Sequence, residues 1–572
     1  MSPRSRRRRR ALDDRTVSTP VLSAAGAPRA SRWLRRAPLL AAALAVLVWA
    51  PSIAGGFLYD DLTLIALNPA IHDLHALRTV LTYEPSRPLL NLTWALNYAF
   101  GGDSPWHYHL VNVLLHAANA ALVASLLLWA GRRRGRPDAP RLALAGACVF
   151  AASPMAAEAV AYVASRSSLL VALFALASLR LAVGVLDGGR RWRLSAALGL
   201  FLLALATKEE AAALPLLLLL LDYFFVAGQR IGALRSRLWI HGCFLALLPA
   251  GLLARRLVTG SWLPPQAMSP AIYLLTQWAA FPLYLLRALV PFDPAFYRYH
   301  PPAPWPLDAA TLGWSLATLV VVGLAWRFRR RAPEWSFAVG WLAMGLLPSS
   351  SILSLNEMVA DHRAYLGSVG VAFAVGGLLL RLGGARLVCL VLALFAVRAV
   401  AYERVLADPV RAWADAVRRA PGSADALCAL GEAYAARSDP RAEACFRRAT
   451  ELMPGHFRYW ANLGLYYAEA GRLQEAVESL RAAVARAPQE AAVRDYLGGV
   501  LERLGREDEA VAEYEAALSG VPVSAEPYIH LAAIRLRRGE PQRARALLAQ
   551  AWRLASTEEQ AQRITALQRG LP

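Results

Sequence analysis

The stretch WLRRAPLLAAALAVLVWAPSIAGGFLYDDLTLIALNP, residues 33–69, decides how the rest of the chain is read. Arg35 and Arg36 directly precede an apolar run from about Pro38 to Ala54, which is membrane-length. Positively charged flanks stay in the cytoplasm, so the loop bearing Asp60 and Asp61 is expected on the outer side. Laid down by the same rule, later spans bring Glu158, Arg166, Lys208, Glu209, Glu357, Asp361, His362 and Arg363 to that face. Charged groups drawn from many helices to one membrane face read as the active site of an integral membrane enzyme.

Composition agrees with two regions. The chain has 572 residues, 57% of them hydrophobic, and the apolar ones concentrate before residue 403. The remainder is amphipathic and charged. The net charge of +21 raises the question of nucleic acid. Its arginines sit instead in the N-terminal tail and in short loops (132–136, 190–193, 230–237, 327–331), where membrane proteins keep cytoplasmic anchors. No groove-reading element accompanies them, so nucleic acid is excluded as a partner. The tail suits anionic lipid headgroups. Among 62 basic residues Lys208 is the one lysine, a bias that arginine-rich codon usage also explains. Cys148, Cys243 and Cys389 read as small buried apolar residues. Cys428 and Cys445 fall in one helical hairpin and would be a disulfide pair if the tail is extracytoplasmic.

Residues 1–37 form a basic tail expected to be disordered. A polytopic membrane domain follows over 38–403. Spans are expected near 38–54, 109–130, 141–157, 168–186, 194–207, 211–227, 238–254, 309–326, 335–353, 364–380 and 386–402: eleven crossings. Residues 271–290 are apolar enough to cross, but a crossing there would invert every later arginine anchor. A re-entrant or interfacial segment is therefore expected. A connector and half repeat occupy 404–423.

From 424 to 557 the sequence repeats with a 34-residue step. Gly464, Gly498 and Ala532 keep it, as do Pro454, Pro488 and Pro522, and Ala442, Ala476, Ala510 and Ala544. Small residues at this period let paired helices approach closely. The pattern resembles the tetratricopeptide repeat, in about four units, which stack into a superhelix with a concave face. Residues 558–572 are left as a C-terminal tail. The fold class is all-α: a polytopic α-helical membrane domain followed by an α-solenoid.

The candidate chemistry lies at the outer face. Asp60 and Asp61 offer a base for a hydroxyl and a second carboxylate to hold an acceptor or a cation; helix capping is the structural alternative. Arg87 suits a phosphate or an interfacial anchor. His107, His109 and His116 do not follow a metal-ligand spacing, and His116 reads as a hydrogen-bonding core residue. Glu158 and Arg166 bracket one turn, where a local ion pair is the plainer reading. Lys208 and Glu209 suggest a network at one depth. Asp361 flanks His362 and Arg363, which suit a phosphodiester or pyrophosphate-like anion. No residues are assigned to a metal, although a divalent cation is compatible with the acidic groups.

The motifs YDD, SRPLLNLTWALNYAFGG with SPWHYHLVNVLLH, SPMAAEAVAYVASRSSLL, ATKEEAAALPLLLLLLDYF and VADHRAYLGSVG, followed by the repeats, resemble the transmembrane and tetratricopeptide-repeat O-mannosyltransferases and their bacterial relatives. The resemblance implies a GT-C glycosyltransferase that moves a sugar, mannose among the candidates, from a polyprenyl-phosphate donor to an acceptor hydroxyl on the outer face, with inversion. It implies Asp60 as general base with Asp61 beside it, and Lys208, Arg166 and Arg363 at the donor phosphate. The chain departs from the family pattern at SPMAAE, where histidine and threonine usually precede the glutamate, and at ADHRAY, which usually has Glu-Arg-Tyr character. The partners implied are membrane lipid, lipid-linked sugar and a polypeptide acceptor held by the repeats. The location implied is a bacterial inner membrane, with the N-terminus cytoplasmic and the repeats outside. The rival reading is a non-catalytic membrane-anchored scaffold that recruits proteins through the repeats. A transporter is the third.

Overall fold

The computed structural model describes residues 36–84, 86–261, 268–351, 355, 357–519, 524–555 and 557–571. The expected basic tail lies almost wholly outside them. The described residues form helices and turns with no strand.

The membrane part is a helix bundle with two chemically different ends. At one end the arginine loops meet. Arg136 bonds Glu334 at 2.9 Å, Arg381 reaches the same carboxylate at 3.1 Å, and Arg237 holds Asp222 at 2.7 Å. At the other end the segments around residues 56–61, 158–166, 208–210 and 357–363 converge. Prolines start many of the helices, including Pro105–Arg133, Pro270–Leu289 and Pro333–Leu346, where the missing N–H leaves no intrahelical bond unmade. Small residues set the closest crossings. A Cβ on Gly376 would lie 2.5 Å from the Gly146 nitrogen, so helix Ala139–Ala152 and the helix that starts at Ser368 touch backbone to backbone. Helix Ala309–Arg327 exposes Leu312, Leu316, Leu319, Val320 and Leu324, an apolar surface suited to lipid.

Among the described residues, seven helices are long and apolar enough to cross a membrane, or eight if the bent pair Ala139–Ala152 and Pro154–Ala161 is one span. This is fewer than the eleven crossings expected, for local reasons. Trp192–Leu205 and Pro333–Leu346 have 14 residues each. The segment expected at 211–227 is divided into a 3-10 turn, Glu209–Ala213, a short helix, Leu214–Leu221, and a π turn, Asp222–Val226. The last two expected spans merge into Ser368–Leu406, which breaks at Gly384, where φ is 61°. Its start lies beside Arg363, Arg381 lies at the arginine end, and Tyr402 returns to bond the Phe296 N–H at 2.7 Å.

Helix Pro270–Leu289 is continuous over 20 residues, with the length and hydropathy of a span. Its contacts run otherwise. The Tyr273 hydroxyl donates to the Ser349 carbonyl at 2.6 Å, and Gln277 donates to Met358 at 2.6 Å. Tyr284 accepts the Ala360 N–H at 3.2 Å, and Arg287 reaches Asp361 at 3.5 Å. From Tyr273 to Arg287 the helix is thus tied to Ser349, Met358, Ala360 and Asp361, contacts compatible with an interfacial segment.

The repeat part is a stack of helix pairs: Ala424–Ala435 with Arg441–Leu452, Phe457–Glu469 with Leu473–Arg486, Ala491–Arg503 with Glu507–Ala517, and Glu526–Arg537 with Pro541–Leu554. The 34-residue glycine column is steric in origin. A Cβ at Gly464 would lie 2.7 Å from Leu480, and one at Gly498 would lie 2.5 Å from Tyr514. One expectation is corrected here and one open question is answered. Residues 558–572 are not a plain tail: Glu558–Arg569 is a helix, capped by Thr557, that buries Ile564 against the last pair and closes the stack. Cys428 and Cys445 are both free. The Cys428 sulfur accepts from Asn462 of the next repeat at 3.0 Å and reaches Glu432 of its own helix at 3.8 Å.

Candidate active site

Asp60 and Asp61 occupy adjacent positions with different surroundings. Asp61 is fully buried. One of its oxygens accepts the Leu58 N–H at 3.0 Å and the other the Ala164 N–H at 2.6 Å. It ties its own loop to the turn between Tyr162 and Arg166. Burial pushes its carboxyl up to about 7 against the pull of those two N–H groups. Asp60 is half-buried, and its backbone N–H donates to the Tyr162 hydroxyl at 3.2 Å. Burial raises its carboxyl above the ordinary value, while the Tyr162 hydroxyl and Arg87 draw it down. Its oxygens are not consumed by backbone donors, so Asp60 is the carboxylate free to take a proton.

Arg87 immediately precedes helix Pro88–Gly101 and is half-buried. Among the described residues its side chain makes no hydrogen bond or ion pair, yet it acts electrostatically on both Asp60 and Glu209. Lys208 is buried and pairs with Glu210 at 2.8 Å, not with Glu209, and its ammonium also reaches Ser168 Oγ at 3.4 Å. The 3-10 turn Glu209–Ala213 separates the two glutamates: Glu210 turns inward while Glu209 remains half-buried. Both belong to the cluster.

The turn Asp361–Ala364 supplies the third side. Glu158 is 3% exposed; its Oε2 accepts the His362 N–H at 2.9 Å and its Oε1 meets His362 Nδ1 at 2.5 Å. Burial first, then the Lys208 ammonium, push the His362 imidazole down to about 3. The Glu357 carboxyl is raised by burial and then by Glu158. Arg363 is buried with one long contact, to the Tyr273 hydroxyl at 3.4 Å, and feels the charges of Glu357 and Glu210. Asp60, Arg87, Glu158, Lys208, Glu209, Glu210, Glu357, His362 and Arg363 thus form one electrostatically coupled group.

Two sequence candidates are engaged elsewhere. Arg166 is fully buried. It donates to Asn112 at 2.8 Å, to Asn97 at 2.6 Å and to the Tyr108 carbonyl at 2.9 Å. Its donors are consumed in joining helices, which leaves little for a phosphate. Asp361 is held by Arg298 at 3.1 Å and approached by Arg287, so it anchors the 293–298 loop. His116 is buried between Tyr365 and the Ala151 carbonyl, a hydrogen-bonding core residue. Sequence reading overlooked Tyr162, which touches Asp60; its place between Glu158 and Arg166 was the available signal.

The repeats join this end through aromatic rings. Tyr59, at φ 51°, meets Trp413 edge-on at 5.0 Å, and Phe296 packs against Trp413 at 5.2 Å and Tyr162 at 5.1 Å. Trp413 lies on Pro409–Arg419, the helix that leads into the stack. Arg419 pairs with Asp293, adding a charged clasp.

The sequence model of the tetratricopeptide repeat (TPR_16) matches residues 440–491 and 475–528. Protein O-mannosyl-transferase TMTC2 of Homo sapiens is 36% identical over 159 residues, which is 25% of this chain and 18% of that protein. Protein O-mannosyl-transferase F38B6.6 of Caenorhabditis elegans is 23% identical over 360 residues, 58% of this chain and 49% of that protein. That share of the chain is more than residues 404–572 can supply, so the likeness reaches into the membrane part. Among solved structures, MamA from Desulfovibrio magneticus RS-1 is 22% identical, covers 25% of this chain and 82% of that one, and has a TM-score of 0.24. The chain spans about half or less of the length of the curated relatives that it matches. The two curated matches agree with the resemblance that the motifs carry: over the residues matched, the chain is similar to protein O-mannosyl-transferases.

Proposed function

We propose that this protein is a membrane glycosyltransferase of the GT-C type that moves a sugar from a polyprenyl-phosphate donor to a hydroxyl on a polypeptide. The names of the relatives favour mannose and a protein acceptor. The reaction would occur at the acid-rich end, on the extracytoplasmic side of an inner membrane, with the arginine end in the cytoplasm. Asp60 takes the hydroxyl proton as the acceptor oxygen attacks the anomeric carbon. The bond from that carbon to the phosphate oxygen breaks, and the lipid phosphate leaves with the electron pair. The configuration inverts. Arg87 and Arg363, with Lys208 behind them, stabilise the leaving phosphate. Arg166 and Asp361 hold the scaffold.

The observation that carries this reading is the division between the paired aspartates. Asp61 spends both oxygens on backbone N–H groups, while Asp60 keeps its carboxylate in the field of Arg87, which has no side-chain partner among the described residues. A scaffold with no chemistry gives no reason for that difference. The test is Asp60→Asn in purified protein supplied with lipid-linked sugar. Loss of general-base help removes about 10²–10⁴ in rate, with insertion and melting unchanged. Near-normal turnover by the variant would overturn the assignment.

A further inference from the structure

Glu158, Glu357 and His362 come from different parts of the chain, yet one ligand atom from each lies within 4.8 Å of the others. Neighbouring charges make the cluster unusual. Asp361 is compensated by Arg298 and Arg287, and Glu210 by Lys208. Among the described residues Glu158 has no arginine or lysine ion-pair partner; its bonds are to the backbone N–H and ring of His362. Glu357 adds a second carboxylate; Arg363 acts on both, and Arg298, already paired with Asp361, also reaches Glu158. Two carboxylates and an imidazole facing one point in a desolvated site are short of positive charge.

We propose that Glu158, Glu357 and His362 bind one divalent transition-metal cation within the charged group that includes Asp60. Two oxygens and one nitrogen suit zinc or manganese better than magnesium or calcium, which favour oxygen alone. The His362 N–H already fixes Glu158 through Oε2, so Oε1 is aimed at the imidazole by a bond that metal binding need not break. The ion would replace the hydrogen bond between Oε1 and Nδ1. Ligands each about 2.1 Å from a tetrahedral ion sit about 3.4 Å apart, so the pair must part by about 1 Å on binding. Such an ion would add its charge to that of Arg363 toward a phosphate. This last role rests on the proposed function; metal binding itself does not.

The test uses full-length protein in detergent, stripped with EDTA and equilibrated with zinc or manganese alone. Bound metal per chain is read by mass spectrometry, without reference to sugar transfer. One ion per chain is expected, with a raised melting temperature. His362→Ala and Glu357→Gln should each weaken binding at least tenfold, while His75→Ala, at an exposed histidine, should leave it intact. Glu357 is half-buried, so its variant decides the matter if His362→Ala fails to fold. Wild type with no bound metal, or binding that the folded ligand variants leave unchanged, would overturn the proposal. A protein that binds metal as expected yet transfers no sugar would leave the site standing and sink the reaction.

Discussion

Lys208 and Glu210 form a buried ion pair at 2.8 Å that bypasses the intervening Glu209. Removing one member leaves a desolvated charge, which costs about 3–5 kcal/mol. Lys208→Met is expected to destabilise the protein by that order. Lys208→Met with Glu210→Gln should recover much of the loss. Chemical denaturation in detergent measures both. Lys208→Arg keeps the charge but brings a wider head into a closed site, so donor use should fall while melting changes less. If Lys208→Arg transfers sugar like wild type, the lysine has no special part in the reaction.

Asp61 carries a pH dependence. Its carboxyl is raised by burial to about 7 from the ordinary 3.8. Between those values the folded chain holds a proton that the unfolded chain has lost. The stabilisation is complete below about pH 4 and disappears as pH rises through about 7. Its ceiling is on the order of 4 kcal/mol. Asn does not titrate and lacks one of the two acceptor oxygens. The stability lost in Asp61→Asn should therefore be larger at pH 5 than at pH 8. A penalty that is flat or grows with pH would contradict this account.

How much of this was legible in the sequence differs by element. The 34-residue column of Gly464, Gly498 and Ala532 was plain, because one steric demand recurs at one helix crossing in every repeat. The gathering of Asp60, Glu158, Lys208 and Arg363 followed from arginines at alternate loops. What the sequence did not disclose was which partners each charge would take. Arg166 has the same charge as Arg363, yet Asn97, Asn112 and Tyr108 claim it from other helices. Span counting by hydropathy also hides breaks: the turn at Gly384 falls between the spans expected at 364–380 and 386–402, but the π turn Asp222–Val226 interrupts a run expected as one span at 211–227.

The repeat crossings give a stability prediction. A methyl group at Gly498 would lie 2.5 Å from the Tyr514 ring. Gly498→Ala should cost about 1–3 kcal/mol through overpacking. Pairing it with Tyr514→Phe should not relieve it, because the clash is with the ring carbons and not the hydroxyl. Gly455→Ala, where no atom lies within 4 Å of the added carbon, is the neutral comparison. Equal melting of the two alanine variants would show that the repeats adjust freely.

Topology can be read with reporter fusions. Residues 134 and 330 lie at the arginine end and should report the cytoplasm, while residue 480 should report the opposite side. The sharper pair is 268 and 294, which flank helix Pro270–Leu289. Its contacts with Ser349, Met358, Ala360 and Asp361 fit an interfacial helix, so both fusions should report the same side as 480. Opposite signals at 268 and 294 would mean that the helix crosses.

Tyr59 stands between Asp60 and the repeats, with a positive φ that a tyrosine rarely adopts, and its ring rests on Trp413. Such a conformation persists when neighbours hold it, here Trp413 and Phe296. Trp413→Ala removes that support without touching Asp60, Arg87 or Arg363. The repeat stack has its own buried core and should stay folded. Donor binding and slow hydrolysis of the donor by water should persist. Transfer to a polypeptide should fall by about tenfold or more, since an acceptor held on the repeats no longer meets Asp60 in a defined geometry. Phe at position 413 should restore part of it by refilling the ring contact. If Trp413→Ala lowers hydrolysis and transfer equally, Trp413 supports the whole site and does not align the acceptor.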